Sequence, residues 1–168
     1  MGREEVADFS AFFAAEYRTV VGLAFVLCGR LDAAEDLAQD AFAAAFHDWN
    51  RIARYDDPGA WVRRVVANRA VSLRRRRSSE GRLVERLASL APGAAAEPPL
   101  IDPELGRAIR SLSRRQAQIV ALVYFEDLSV ARSAEILGCS EETSRTHLRR
   151  ARAALARRLG MRQEEEPA

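Results

Sequence analysis

The 168-residue sequence contains no lysine, two cysteines, two histidines and few aromatic residues. Cys28 and Cys139 lie among apolar neighbours, and His47 and His147 have no other cysteine or histidine at metal-ligand spacing. We therefore expect buried free thiols and no metal site. The sequence also has no glycine-rich phosphate loop, no serine–histidine–aspartate set and no cleft-like pair of carboxylates. These absences argue against an enzyme, so we predict no catalytic residue and no cofactor.

Long apolar runs are also missing. The run Val20–Cys28 is too short to span a membrane, and the N-terminal MGREEVADF is acidic, unlike a secretion signal. We therefore expect a cytoplasmic protein that is not inserted in a membrane. The composition, 48% hydrophobic and 30% charged with abundant Ala, Leu, Arg and Glu, is typical of a soluble, mostly helical protein.

The net charge of +2 conceals segments of different sign. Residues 1–57 carry 5 Arg against 11 acidic residues, whereas residues 58–77 carry 7 Arg and no acid. Residues 140–162 carry 7 Arg and 2 acids. Two basic blocks indicate two contacts with a polyanion, and the acidic front half indicates a different partner there.

The stretch Leu128–Leu159 has the pattern of two helices joined by a tight turn. Gly138 directly follows the apolar Leu137 and suits a left-handed C-cap, and Ser140 can cap the second helix. The second helix has an apolar face, and the residues of its opposite face are Glu142, Thr146, Arg149, Arg150 and Arg157, with Arg145 at the border. This pattern predicts a helix-turn-helix whose second helix enters a DNA major groove. The alternative is an amphipathic hairpin with a solvated arginine face.

Apolar residues at three- and four-residue steps predict a first helix from Asp8 to Cys28, ended by Gly29. Asp32 and Glu35 predict a capping box at the start of a second helix. One side of that helix is lined by alanines, which allow another helix to approach closely. The other side is polar and consists of Asp36, Gln39, Asp40 and His47. Taken alone, this polar side is a solvated face.

Asp57 and Pro58 suit the N-cap and first position of a third helix, GAWVRRVVANRAVSLRRRR. One face of this helix is apolar, and another face contains Trp61, Arg64, Asn68, Ser72 and Arg75. An aromatic ring there can stack on bases, worth roughly 1–3 kcal/mol per base, while arginines hold phosphates. The alternative is that Trp61 is simply a core residue.

Residues 78–103 are rich in proline and alanine without a period, which predicts a linker. Within it, Leu83–Leu90 favours a short helix. The linker divides the chain into two small all-helical domains, residues 8–77 and 104–160, which we expect to be independent in the free chain. In the second domain, Ser113–Gln116 predicts a capping box at the start of a helix.

These motifs resemble those of bacterial extracytoplasmic-function sigma factors, the smallest members of the sigma-70 family. AEDLAQDAF (Ala34–Phe42) is similar to the helix that docks on the clamp of RNA polymerase. DPGAWVRRVVANRAVSLRRRR (Asp57–Arg77) is similar to the segment that opens and reads the −10 promoter element. LSRRQAQIVALVYFEDLS and AEILGCSEETSRTHLRRARAAL resemble the domain that reads the −35 element. Two independent motif sets stand in the family's order.

The resemblance implies an all-α fold in which a region 2-like domain and a region 4-like helix-turn-helix domain bind core RNA polymerase and promoter DNA. An anti-sigma factor is a further candidate partner. The residues that the resemblance assigns to polymerase binding are Asp36, Gln39, Asp40 and Phe42. Those assigned to −10 DNA are Trp61, Arg64, Asn68 and Arg69. Those assigned to the −35 duplex are Glu142, Thr143, Arg145, Thr146, Arg149 and Arg150.

Two other classes of protein stay open at this point. A transcription regulator of the response-regulator type can carry a similar helix-turn-helix, but its front half would contain strands, and residues 1–77 show no strand pattern. A protein-interaction module that binds a sigma factor would not need two basic blocks. Promoter binding that depends on core polymerase separates the sigma-factor interpretation from both.

Overall fold

The computed structural model describes residues 3–80 and 101–160, with side chains for 5–76 and 101–160. Every regular element in these ranges is a helix, which confirms the all-α fold class. The front half contains α1 (Arg3–Cys28), α2 (Leu31–His47), α3 (Trp49–Ile52) and α4 (Pro58–Glu80). The back half contains α5 (Pro103–Arg110), α6 (Arg114–Tyr124), α7 (Val130–Leu137) and α8 (Glu141–Arg158). The helix expected across Leu83–Leu90 lies outside the described residues.

Side-chain caps fix several helix ends as the sequence predicts. The Asp57 carboxylate accepts a hydrogen bond from the Ala60 amide, 2.9 Å away, at the start of α4. A complete capping box between Ser113 and Gln116 opens α6. Each cap supplies an acceptor to an amide that has no partner inside its helix, an effect worth about 1 kcal/mol.

The capping box predicted for α2 is wrong. The helix begins at Leu31, and its N-cap residue, Arg30, makes no side-chain cap. Arg30 instead pairs with Asp32, and the Nε–Oδ1 distance is 3.0 Å. Asp32 is thus the second residue inside the helix rather than its N-cap, so Asp32 and Glu35 do not form a capping box.

The first core lies within the front half, between α1, α2, α3 and α4. As predicted, the alanine side of α2 is inward: Ala34, Ala38, Ala41 and Ala45 are all fully buried. Trp49 begins the separate short helix α3, directly after α2, and is 5% exposed. The Trp49 ring packs edge-on against Phe9, with 5.2 Å between the ring centroids.

The second core is shared by the two halves. Leu23 and Leu27 of α1 and Val71 of α4 belong to the same buried cluster as Ile119 of α6 and Leu137 of α7. Burying a side chain of this size contributes roughly 1.5–3 kcal/mol. The expectation that the two domains are independent in the free chain is therefore wrong for this structure, in which each half covers apolar surface of the other.

Among the described helices, α1 alone is long and apolar enough to cross a membrane, over Glu5–Cys28. Its apolar side chains have another role, because Val20, Leu23, Ala24 and Leu27 are fully buried against the other helices. A core helix of a soluble protein shares these properties with a membrane span.

Candidate nucleic-acid and polymerase interface

The helix-turn-helix forms as predicted from α7 and α8. Ser129 caps α7, Gly138 ends it in the left-handed conformation with φ 67°, and Ser140 caps α8. Glycine is favoured at Gly138 because a Cβ is costly at that φ. Ser144 and Leu148 of α8 are buried against the rest of the back half. The opposite side of α8 is therefore presented to solvent in a fixed orientation.

The outward face of α8 contains the residues predicted to contact the −35 duplex. Five are exposed, namely Glu142, Thr143, Arg145, Arg149 and Arg150, and Thr146 is half-buried. Arg145 pairs with Glu141 one turn earlier, whereas no salt bridge holds Arg149 or Arg150 among the described side chains. This face has the shape and charge that a recognition helix needs in a major groove.

His147 lies at the edge of that face. Burial, together with the nearby Arg150 and Arg115, lowers the pKa of His147 below its ordinary value. The imidazole is consequently neutral at pH 7, so it adds no positive charge to α8 at that pH.

The residues predicted to contact −10 DNA lie on α4, and we call them the α4 face: Trp61, Arg64, Asn68 and Arg69. Trp61 is half-buried and packs against the first core. The alternative that Trp61 is a core residue therefore holds for the buried part of its side chain. Arg69 is exposed and lies 3.6 Å from the Asp40 carboxylate of α2. The α4 face is thus only partly available to solvent.

The back half covers the centre of the α4 face. The Asn68 Oδ1 atom accepts hydrogen bonds from Arg114 Nη2 at 2.6 Å and from Gln118 Nε2 at 3.0 Å. The Arg64 guanidinium lies against the turn of the helix-turn-helix. Its Nη2 atom is 3.0 Å from the position that a Cβ on Gly138 would occupy. Asn68 is half-buried and its Oδ1 atom is occupied by the back half, an arrangement of the two halves that we call the closed arrangement.

Ion pairs reinforce the closed arrangement at two places. Arg63 of α4 contacts Glu126, between α6 and α7, at 2.7 Å and Glu16 of α1 at 2.8 Å. The Glu126 side chain is only 2% exposed, and burial raises its pKa although Arg63 opposes this.

The second ion pair between the halves joins Arg132 of α7 to Asp57, the N-cap residue of α4. Burial opposes the ionisation of Asp57, but the hydrogen bonds from Arg132 and Ala60 outweigh it and lower its pKa.

The polar side of α2 is open, as the sequence suggests. Asp36, Gln39 and Asp40 are all exposed. Phe42, assigned to the same contact, is 2% exposed and packs edge-on against Phe13, with the centroids 4.9 Å apart. Phe42 therefore cannot touch a partner directly, and it supports this acidic face from beneath.

Sequence reasoning missed the residues that join the halves, above all Gln118. Its side chain is fully buried, and its Nε2 donates to the Ala67 carbonyl as well as to Asn68. The signal was a glutamine at a core position of the apolar stretch AQIVALV. A buried amide needs hydrogen-bond partners, so a polar residue there indicates a contact with another element.

Comparisons with known proteins match both halves. The family model for Sigma-70 region 2 matches residues 12–80, and the model for Sigma-70 region 4 matches residues 103–155. The ECF RNA polymerase sigma factor SigM of Mycobacterium tuberculosis is 31% identical over 154 residues, covering 90% of this chain and 77% of SigM. The RNA polymerase sigma-E factor of Streptomyces antibioticus is 31% identical over 126 residues, covering 75% of this chain and 70% of that protein.

Solved structures share the fold. The sigma factor RpoE from Bartonella quintana, in complex with the anti-sigma factor NepR, superposes with a TM-score of 0.71 at 24% identity, covering 93% of this chain and 99% of RpoE. CnrH, in complex with the cytosolic domain of CnrY, gives a TM-score of 0.65 at 22% identity, covering 90% and 87%. The two region matches, the identity with SigM and the helix-turn-helix together place the chain among the extracytoplasmic-function (ECF) sigma factors of the sigma-70 family.

Proposed function

We propose that this sigma factor docks on core RNA polymerase through the acidic face of α2 and then reads promoter DNA at two separate places. The outward face of α8 contacts the −35 duplex in its major groove. The α4 face contacts the −10 element as its strands separate. The observation that carries the proposal is the pair of basic helices, α4 and α8, one in each matched sigma region.

The closed arrangement cannot perform this task as it stands. Asn68 is occupied by Arg114 and Gln118, and the −10 strand needs the same surface. Promoter reading therefore requires the back half to leave the α4 face, and interactions with polymerase and DNA must replace those between the halves. In this proposal the linker, residues 78–103, keeps the region 2-like domain (8–77) joined to the region 4-like domain (104–160) after the back half has left the α4 face.

Further parts of the proposal concern partners and location. An anti-sigma factor is a proposed partner, because NepR is bound to the structural relative RpoE. The protein acts in the cytoplasm, where polymerase and DNA are present, and it performs no catalysis because polymerase carries out the chemistry. The response-regulator alternative is not favoured, since the front half matches a sigma region rather than a receiver domain. A sigma-binding interaction module would need neither basic helix.

Run-off transcription with core polymerase tests the proposal. Core enzyme plus this protein, supplied with fragments of the source genome, should start transcripts at defined positions that share −35 and −10 sequences. Core enzyme alone is the control. Start sites that are the same with and without the protein would contradict the proposal.

A further inference from the structure

Arg74 of α4 lies at the junction of the two halves, beside the end of α5 that carries Arg110. Arg74 Nη2 reaches across the junction and donates to the Leu112 carbonyl at 3.3 Å. Both side chains are half-buried, and burial, followed by the nearby positive charges of Arg110 and Arg75, lowers the pKa of Arg74. Arg107, one turn before Arg110, adds a further positive charge.

Burial and Arg107 disfavour the charged form of Arg110, whereas the nearby Cys28 thiol favours it. Among the side chains that the structure describes, no carboxylate forms a salt bridge with Arg74, Arg107 or Arg110. The Arg74 Nη1 atom is buried and has no hydrogen-bond partner among the residues that the structure describes. A buried guanidinium donor without an acceptor is costly, and nearby like charges add to that cost.

The backbone around Arg110 holds its guanidinium in one place. A Cβ built on Gly106, one turn earlier in α5, would lie 2.9 Å from Arg110 Nη1. A Cβ on Gly29, at the end of α1, would lie 2.6 Å from Arg110 Nε. The Arg110 side chain thus runs between Gly29 and Gly106, and a larger residue at either position would displace it.

We propose that Arg74 and Arg110 form a binding site for a phosphate-type oxyanion at the junction of the two halves. Planar guanidinium groups match the geometry of phosphate oxygens, and the buried Arg74 Nη1 donor supplies a hydrogen bond that no described residue accepts. The anion offsets the repulsion between the arginines. Because the two arginines come from different halves, the bound anion favours the closed arrangement.

Inorganic pyrophosphate is the probe, titrated calorimetrically into the full-length protein at constant ionic strength. Wild type should bind one pyrophosphate per chain and show a higher melting temperature with it. Arg74→Gln and Arg110→Gln should each weaken binding by about tenfold or more, as expected for loss of a charge-assisted hydrogen bond. Absence of binding to wild type, as when an acidic segment of the chain already fills the site, would overturn the proposal.

Gly106→Ala separates a binding defect from a folding defect. The added methyl group displaces Arg110 while leaving both positive charges, and alanine favours the helix over glycine by about 1 kcal/mol. This variant should remain folded and still lose affinity by about tenfold, close to the Arg110→Gln loss. Unchanged affinity in Gly106→Ala would remove Arg110 from the site and overturn the proposal.

Two variants serve as matched controls. Gly22→Ala makes the same substitution in α1, where a Cβ would have no atom within 4 Å, and Arg54→Gln removes an exposed arginine just after α3. Both should bind pyrophosphate as wild type does. An equal loss in all the variants would reveal non-specific attraction to a basic protein and overturn the proposal.

A short oligothymidine strand then identifies the source of the phosphate. Tighter binding of pyrophosphate than of the strand, with only pyrophosphate sensitive to Gly106→Ala, assigns the site to a small free ligand. Strand binding that falls equally in Gly106→Ala assigns it to a nucleic-acid phosphate. The assay uses neither polymerase nor promoter, so its failure is distinguishable from a failure of the proposed function.

Discussion

Asn68 has two roles that one amide oxygen cannot perform at once. In the closed arrangement Oδ1 accepts hydrogen bonds from Arg114 and Gln118. In the proposed open complex the same amide faces the −10 strand. The residue is therefore a point at which the closed arrangement and promoter opening compete directly.

Asn68→Ala and Arg149→Ala should fail at different steps of initiation. Asn68→Ala should leave closed-complex binding nearly intact and reduce permanganate reactivity of −10 thymines, because its contact is made with separated strands. Arg149→Ala should weaken recruitment, since one good base contact is worth roughly 1–3 kcal/mol.

A template already mismatched across −10 provides the control for this pair. It removes the opening cost in advance, so the Asn68 variant should recover much of its activity and the Arg149 variant should not. If both variants respond alike to the mismatched template, the proposed division between α4 and α8 is wrong.

His147 makes the stability of the protein depend on pH. Its pKa is lower in the folded protein than the ordinary 6.5, so the unfolded chain binds the proton more readily. The corresponding stability is present above about pH 6.5 and is lost as the pH falls through the lowered pKa. His147→Gln should show a smaller loss of urea stability than wild type between neutral pH and about pH 5. An identical loss in both proteins would contradict this assignment.

At the scale of the element, α2 presents one side to the core and the other to solvent, where we propose that core polymerase docks. Asp36→Arg combined with Asp40→Arg should weaken binding to core polymerase by about tenfold. Reversing two exposed charge contacts costs on the order of 1–2 kcal/mol. Fluorescence anisotropy of labelled protein titrated with core enzyme at moderate salt measures the change.

The control for the α2 variant carries the same change in net charge elsewhere. Asp8→Arg combined with Asp56→Arg alters two exposed acids outside α2 and should bind core polymerase as wild type does. Circular dichroism should show both double variants to be folded. Equal affinity of the two variants would count against docking through α2.

Local chemistry made most of the elements predictable. The Gly138 turn, the Ser140 cap and the Ser113–Gln116 box follow from short-range rules, and all of them form. The capping box at Asp32 failed because α2 begins one residue earlier, at Leu31, and the Asp32 carboxylate pairs with Arg30. The contact between Asn68 and Gln118 was not predictable, because 50 residues separate the two positions and no periodic pattern encodes such a pairing.

At the scale of the whole molecule, the closed arrangement rests on a shared core and a few polar contacts at its edge. Arg114→Glu combined with Arg132→Glu should open it. These changes remove the contact with Asn68 and place like charges opposite Asp57, while the buried side chains stay unchanged. In small-angle X-ray scattering, the radius of gyration should rise above the value near 15 Å that is typical of a compact chain of this length.

The matched control is Arg149→Glu combined with Arg150→Glu, which makes the same charge change on the outward face of α8. This variant should keep the wild-type radius, because neither arginine forms a salt bridge between the halves among the described side chains. An Arg114→Glu/Arg132→Glu protein with the wild-type radius would show that these polar contacts do not hold the halves together.

The shared core also imposes an order of events on the ribosome. The first core needs nothing beyond Val66, whereas the second unites Leu23 with Ala151. At about 5–20 residues per second, translation from Val71 to Ala151 takes roughly 4–16 s. We expect the front half to fold around its own core during that interval, while Asn68 has no partner from the back half. A polymerase or regulator that binds the nascent chain before Ala151 is made therefore meets an α4 face whose Asn68 is not yet bonded to the back half.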